Sequence, residues 1–570
     1  MANATYSFSP VTSVLRINSK AAGNQSHSDV TRLGGPEGGF HVAFNTSIGT
    51  SVDGRSFSES GRAISHEFKV NTTTSGTQLD PATISLSNRK IVTLYDDHSN
   101  VDSNNWKVRG NILDATGQDN EEFFLDRGYK QGSSYQGSMH PDVTLVKGGY
   151  VASWMRGWSE TAHFYAQRFN AAGTKVGELI RIQDTMGGID LPTSQSVASL
   201  SKGGFVSVAS SDELALGLIY YFQRFDANGR ALDKKAVPIT THDLAAHYTA
   251  SSYDANPVTV KQSIKAVGLR DGGFAVTYVT PLDLGPTQKD WDIVTRIYNA
   301  DGTPRTEALH VGTAANSSTG IQAGIQGDPN ITTLSNDAIV VSWTNHTGSD
   351  TNIQGRVLDS QGKALTDVVD LAASSRGESE ASLAGLSAGK FVATWTVERE
   401  SGGNTTGIQG REFRLSRTTV GDDKGEVLTG DSLVDVIHGN GGDDIINGKS
   451  GNDILSGGEG KDVFVFDLKP NRQTNFDKIA DFSPVDDSIY LSHKIFTGLG
   501  KKGSMSDPVA LSKAAFWVGT AAHDANDRII YNKTNGALYY DPDGKGGADP
   551  VKIAALTKGL ALTEKDFFII

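Results

Sequence analysis

At 570 residues and 60.6 kDa the chain exceeds the size at which one hydrophobic core stops growing, which excludes a single small domain and implies a large repeat domain with at least one appendage. Its 52 basic and 65 acidic residues leave a net charge of −13, which disfavours a nucleic-acid polyanion as main partner, and its lack of cysteine excludes disulfides, thiolate metal sites and thiol nucleophiles. No run of 18 apolar residues marks a membrane span, the first twenty residues hold no signal-peptide core, and 64 glycines indicate a chain rich in tight turns.

In chain order, an apolar stretch at Tyr6 to Ile17 precedes a repeat that recurs seven times. Six copies share an eleven-residue frame, from SLSNRKIVTLY at Ser85 to GLSAGKFVATW at Gly385, and RLGGPEGGFHVAF at Arg32 is a seventh with two extra turn residues. The aligned bulky positions are Phe40, Ile91, Tyr150, Phe205, Phe274, Ile339 and Phe391. In each copy a turn leads into an alternating run, which reads as a hairpin feeding a strand. Downstream, an apolar residue, Asn or Asp, two residues and Gly recur at Leu113, Phe169, Phe225, Tyr298 and Leu358. Asn and Asp start turns through their own side chains and Gly accepts positive φ, so each marks a second hairpin.

Two hairpins make four strands per repeat, and seven such sheets predict an all-β, seven-bladed propeller over residues 1–420, closed by the strand at Tyr6 to Ile17. An open array of β-sandwich modules is the alternative, although repeats this short fall well below the ~100 residues of a sandwich. Three motifs in this region read as decoys. His66-Glu67 lacks the second His of a zinc peptidase; GLSAG around Ser387 mimics a nucleophile elbow but precedes a strand; SVDGRSF from Ser51 resembles a shortened sialidase Asp-box and is expected to be a turn between strands.

From Gly430, GDSLVDVIH, GNGGDDIIN, GKSGNDILS and GGEGKDVFV form four nines with aspartate sixth: Asp435, Asp444, Asp453 and Asp462. This matches the nonapeptide pattern of a parallel β-helix, in which two nines complete one coil. Asp435 then lies over Asp453, and Asp444 over Asp462. At ~4.8 Å and an effective dielectric of ~20, each such pair repels by about 3.5 kcal/mol, which a divalent cation between them relieves. Glycines let loop carbonyls turn inward beside the acids, so the candidate shell adds Gly439, Gly441, Gly448, Ser450, Gly457 and Glu459; all-oxygen donors select Ca²⁺, about two ions in all. Residues 421–468 hold 11 acidic and three basic residues, so most of the chain's negative charge is local to this segment. In the first nine, Leu433 replaces the fourth-position Gly and is expected to loosen that loop.

These nonapeptides resemble those of RTX, or repeats-in-toxin, proteins, whose β-rolls bind calcium after export through a type I secretion channel. Past the roll, FDKIADFSPVDDSIYL, the segment from Asp527 to Leu556 and the terminal TEKDFFII look like the C-terminal secretion domain of serralysin-type proteins. The resemblance implies a roll at 421–467, a secretion domain at 468–570 ending in an uncleaved signal at Asp566 to Ile570, and a secreted or cell-surface protein that folds on extracellular Ca²⁺. The DPDGKGGAD turn at Asp541 to Asp549 is assigned no ion. With no recognisable catalytic set, the propeller is expected to bind a glycan, matrix polymer or surface ligand. A polysaccharide-active hydrolase or lyase with carboxylates converging on the axis, and a structural matrix component, stay open.

Overall fold

The computed structural model describes the chain apart from residues 1–2, 20–23, 36–37, 47–49, 73–74, 100–105, 119, 128, 132–133, 158–161, 183–189, 214–216, 240–262, 284–288, 313–324, 348–349, 399–404 and 472–473. Among the described residues the regular structure is strand with two single-turn 3₁₀ segments, Lys513–Ala515 and Glu564–Asp566. The chain divides into two units: Pro10–Leu386 with Phe391–Phe413, and Met1–Ser9 with Ser387–Lys390 and Arg414–Ile570.

The first unit has a propeller arrangement. Six repeats each form a separate four-stranded antiparallel sheet in sequence order, of which Gln78–Ser85, Ile91–Asp97, Lys107–Leu113 and Glu121–Asp126 are one. The five downstream hairpins are present: the amide of Gly117 donates to Asp114 O at 3.1 Å, Asp114 Oδ1 accepts from the amides of Thr116 and Gln118, and Gly117 has φ +83°. The alternating runs bury both faces because each sheet packs between two others. Phe40, Tyr150, Phe205, Phe274 and Phe391 are wholly buried, and clusters such as Ile84, Leu94, Val143, Trp154 and Phe169 join one repeat to the next.

Six free-standing blades is one fewer than the seven expected. The seventh repeat supplies only Glu378–Gly385, Lys390–Val397 and Gly407–Val420, and the last of these is a 14-residue strand whose final residues, Arg414 onward, belong to the second unit. The N-terminal segment contributes a shorter piece than anticipated. Leu15–Arg16 pairs with Gly410 and Gln409, whereas the strand Asn3–Pro10 lies almost wholly in the second unit. Val392 and Ile408 of the seventh repeat share an apolar cluster with Ile17, Val42 and Phe44.

Ser51–Phe57 also differs from expectation. It is a strand of the first sheet, not a turn, with Asp53 2% exposed; Gly54 lies against the His41 ring, where a Cβ would collide with imidazole.

In the second unit, strands pair in parallel with an 18-residue offset: Val427 with Ile445 and Ile445 with Val463 on one side, Ser416 with Val434 and Val436 with Ile454 on the other. The eighth residue of each nine points inward, and Ile437, Ile446, Leu455 and Phe464 are all 0% exposed. Beyond the repeats the two sheets continue through Ser488–Leu491 and Asp477–Ile479. The C-terminal strand Phe567–Ile569 pairs in parallel with Ser488–Leu491, burying Phe567 and Ile569.

Candidate metal centre

The four repeat aspartates are all buried, at 0–1% exposure, and stand in two columns. In one, Asp453 Oδ1 accepts the amide of Asp435 at 2.8 Å, and Asp477 Oδ1 accepts that of Asp453 at 3.1 Å. In the other, Asp444 Oδ1 accepts the amide of Glu426 at 2.8 Å, Asp462 Oδ1 that of Asp444 at 2.9 Å, and Asp487 Oδ1 that of Asp462 at 3.1 Å. One oxygen of Asp444, Asp453 and Asp462 is therefore spent on holding the coil before it.

The other oxygen is what distinguishes the site. Oδ2 of Asp444, Asp453 and Asp462 is out of contact with water and has no hydrogen-bond partner. The first glycine of each nine makes room for it: a Cβ on Gly439, Gly448 or Gly457 would collide with Oδ2 of Asp444, Asp453 or Asp462 respectively. The same Cβ on Gly439 would meet the carbonyl oxygen of Gly457, so a carboxylate and a main-chain oxygen converge on one point. An orphaned, buried, all-oxygen donor set of this kind fits a hard divalent cation. Gly441 and Ser450, at the third position, are half-buried, and Glu459 is exposed. The amide of Ser450 donates to Asp431 O at 3.0 Å.

Asp435 differs from the other three. Its Oδ1 accepts from Arg417 Nε at 2.6 Å and its Oδ2 from the amide of Asp431 at 2.8 Å. The first nine is set apart by the cation at position 417, whereas Leu433, expected to loosen the loop, is wholly buried.

Burial pushes these carboxyls up, and the neighbouring acids add to it. Asp444 is raised to about 6, with Asp462, Glu426 and Asp422 contributing, and Asp487 also to about 6. Asp435 and Asp462 are raised as well, and Asp453 and Asp477 are both held high by burial and by negative charge within their column.

Sequence reasoning missed four members of the columns. Arg417 and Glu426 stand 18 residues before Asp435 and Asp444, where the coil period alone would have found them. Asp477 and Asp487 stand 24 and 25 residues beyond Asp453 and Asp462, because extra residues interrupt the period.

The propeller carries a second concave site, a cavity of about 940 Å³ lined by the innermost strands of all seven repeats. Most of these strands carry a bulge, and its residue is ionisable and left-handed: His27 (φ 48°), Asp80 (48°), His140 (52°), Asp328 (47°) and Glu380 (56°). Two other lining acids are committed to neighbouring repeats. Asp29 accepts from Thr83 N at 2.7 Å and Ser382 Oγ at 2.9 Å, and Asp142 Oδ2 accepts from Val197 N at 2.8 Å. Burial lifts Asp29 to about 6 despite its hydrogen bond from Thr83 and the charge of Lys265.

The decoys have structural roles. Glu67 Oε2 accepts from the amide and hydroxyl of Ser19, His66 is exposed, and Ser387 lies in a hairpin turn where its carbonyl accepts the amide of Lys390. In the tail, Asp541 and Asp543 accept amides of their own loop.

Comparison with curated proteins finds no match. Among solved structures, the chain is similar to a protein of unknown function from Dyadobacter fermentans (8% identity, 72% of this chain and 99% of that one, TM-score 0.41). It is similar also to the α-L-arabinofuranosidase Arb93A of Fusarium graminearum (10%, 71% and 98%, TM-score 0.39) and to the R3 subunit of the mannuronan C5-epimerase AlgE6 from Azotobacter vinelandii (23%, 26% and 76%, TM-score 0.19). Likenesses at these scores carry no functional weight. The family model for the RTX calcium-binding nonapeptide repeat matches in four copies over residues 429–464, so this segment is a set of RTX repeats and calcium is the ion such repeats bind.

Proposed function

We propose that the chain is a secreted RTX protein whose nonapeptide segment, a β-roll over 421–467, folds around Ca²⁺. Asp444, Asp453 and Asp462 supply Oδ2, the carbonyl of Gly457 faces the space of Asp444 Oδ2, those of Gly439 and Gly448 face the spaces beside Glu426 and Asp435, and Gly441, Ser450 and Glu459 complete the set. Asp435, already paired with Arg417, is the weakest of the four acids as a ligand. The observation that carries this reading is the set of three buried carboxylate oxygens without partners. Residues 468–570 are the segment read by a type I export apparatus. Low cytosolic calcium leaves the columns repelled, and millimolar extracellular calcium closes them, since extracellular modules bind at about 10⁻⁴ to 10⁻³ M. Calorimetric titration of the chelator-stripped chain with Ca²⁺, alongside circular dichroism, tests this. Saturable binding with a gain of β signal is expected; identical spectra with and without calcium would refute it.

The propeller serves binding of a glycan, matrix or surface ligand at the axial cavity. Commitment of Asp29 and Asp142 to inter-repeat hydrogen bonds supports a scaffold over a catalytic pair. The convergence of Asp80, Asp328 and Glu380 on one cavity favours the second reading, a polysaccharide-active enzyme. Product release from a polysaccharide panel would establish that reading over the first.

A further inference from the structure

The geometry points to a second metal site, in the propeller and separate from the calcium segment: Asp80, Asp96 and His140 form a mixed oxygen and nitrogen site for a divalent transition metal of the zinc type, open to the axial cavity. One ligand atom from each lies within 4.8 Å of the others. Asp96 stands opposite Leu79 in the second repeat, Asp80 is the bulge residue beside it, and His140 is the bulge residue of the third repeat. His140 Nδ1 is 3.3 Å from Asp80 Oδ2, and the His140 amide donates to Asp96 Oδ2 at 3.1 Å.

Two independent observations mark this as more than an acidic cluster. Asp96 is 2% exposed, and its Oδ1 is buried with no hydrogen-bond partner. A buried acceptor left unpaired is costly, and more so when ionised. The repeats then provide an internal control. Five residues past each bulky position, where the second repeat has Asp96, the others have Asn45, Met155, Ser210, Val279, Thr344 and Thr396. Between the sixth and seventh repeats the hydroxyl of Thr344 accepts the amide of the bulge residue Glu380 at 3.3 Å, the task Asp96 Oδ2 performs for His140. A hydroxyl suffices for the backbone, so the second carboxylate oxygen of Asp96 answers to something else.

The donor set selects the ion class. Ca²⁺ takes six to eight oxygens, whereas an imidazole with two carboxylates suits zinc and its neighbours, which commonly accept three protein ligands and keep one position open. Asp80 and His140 both line the cavity of about 940 Å³ and Asp96 is buried, so a metal held by the three would border that cavity. An oxygen-bearing ligand in the cavity would then be held through the metal.

The test uses the full chain, stripped of metal and returned to about 10 mM Ca²⁺ so that the repeat sites are filled. Zn²⁺ is titrated calorimetrically, and Co²⁺ is added in parallel as a spectroscopic probe. One Zn²⁺ per chain beyond the calcium is expected, with affinity falling about tenfold or more in D96N and in H140N. Asn at 140 tolerates the left-handed backbone, and Asn at 96 retains an acceptor for the His140 amide. The variant H523N, in the other histidine and aspartate grouping, should bind as the wild type does. Loss of binding in H523N instead, or unchanged binding in D96N and H140N, would overturn the proposal. If D96N and H140N fail to fold, the wild-type Co²⁺ spectrum decides: a visible band of a low-coordinate site that persists in excess Ca²⁺ supports it, and no band defeats it.

Discussion

Replacing Asp453 by Asn separates the two roles of its carboxylate. Asn still offers an oxygen to the amide of Asp435, now 2.8 Å from Asp453 Oδ1, but removes the negative charge between Asp435 and Asp477. Charges at ~4.8 Å and an effective dielectric of ~20 repel by about 3.5 kcal/mol; protonation of a carboxyl already held high caps the relief, so about 2–3 kcal/mol is expected. In chelator, therefore, D453N should be more stable than the wild type, by roughly 4–12 °C in the transition of a unit this size. In calcium that advantage shrinks. At about 10 mM Ca²⁺ and a dissociation constant of ~10⁻⁴ to 10⁻³ M, each site adds about 1.4–2.7 kcal/mol to the wild type, which the variant forfeits wherever Asp453 is a ligand. Scanning calorimetry with chelator and with calcium reads both arms. A variant destabilised in chelator, or one showing the full wild-type calcium shift, would refute the electrostatic account of the columns.

Placing a methyl against an aspartate oxygen should act on calcium alone: G448A, whose Cβ collides with Asp453 Oδ2, is expected to weaken Ca²⁺ binding about tenfold in calorimetric titration while the propeller transition stays put. Without calcium, the repeat segment should gain stability on acidification. Carboxyls raised on folding contribute stability that is complete below about pH 4 and is lost as pH rises through the folded values, about 6 for Asp444 and Asp487, so melting temperature in chelator should fall between pH 5 and 7. A rise over that interval would contradict the burial of these groups. In the propeller, Asp126 accepts from Trp154 Nε1 at 2.7 Å, Arg156 Nε at 2.6 Å and Ser138 Oγ at 2.9 Å; D126A leaves all three donors stranded and should cost about 3–5 kcal/mol in urea unfolding, with calcium binding unchanged.

What the sequence disclosed was whatever is periodic and local. The nines are legible because one coil equals 18 residues, so Asp435, Asp444, Asp453 and Asp462 announce their own stacking. Asp477 and Asp487 fill the same role at intervals of 24 and 25, which no period search finds, and Arg417 hides by being the wrong residue type at the right place. The hairpins were legible for a similar reason, since Asp114 and Gly117 encode their turn within five residues. The blade count was not, because the length of the strand Gly407–Val420 depends on what it pairs with after residue 413. The left-handed bulge at His27, Asp80, His140, Asp328 and Glu380 was hidden as well: Asp and His enter that conformation more readily than most residues, but too seldom to mark a position, and the ladder on either side imposes it. Asp96 left a readable trace, as the one acid at its position in the seven repeats, which a comparison of repeats by chemistry as well as by hydrophobicity would have caught.

The hydrogen bonds of the aspartate columns all run the same way, from an amide to a side chain later in the chain. Each turn is thus completed by its successor, and the last two repeats depend on Asp477 and Asp487, which lie outside the repeats. A fragment cut where the nines end would strip the amides of Asp453 and Asp462 of their acceptors. The stack accordingly has a polarity: its C-terminal end is closed by two carboxylates of the tail, without which its last turns are left incomplete.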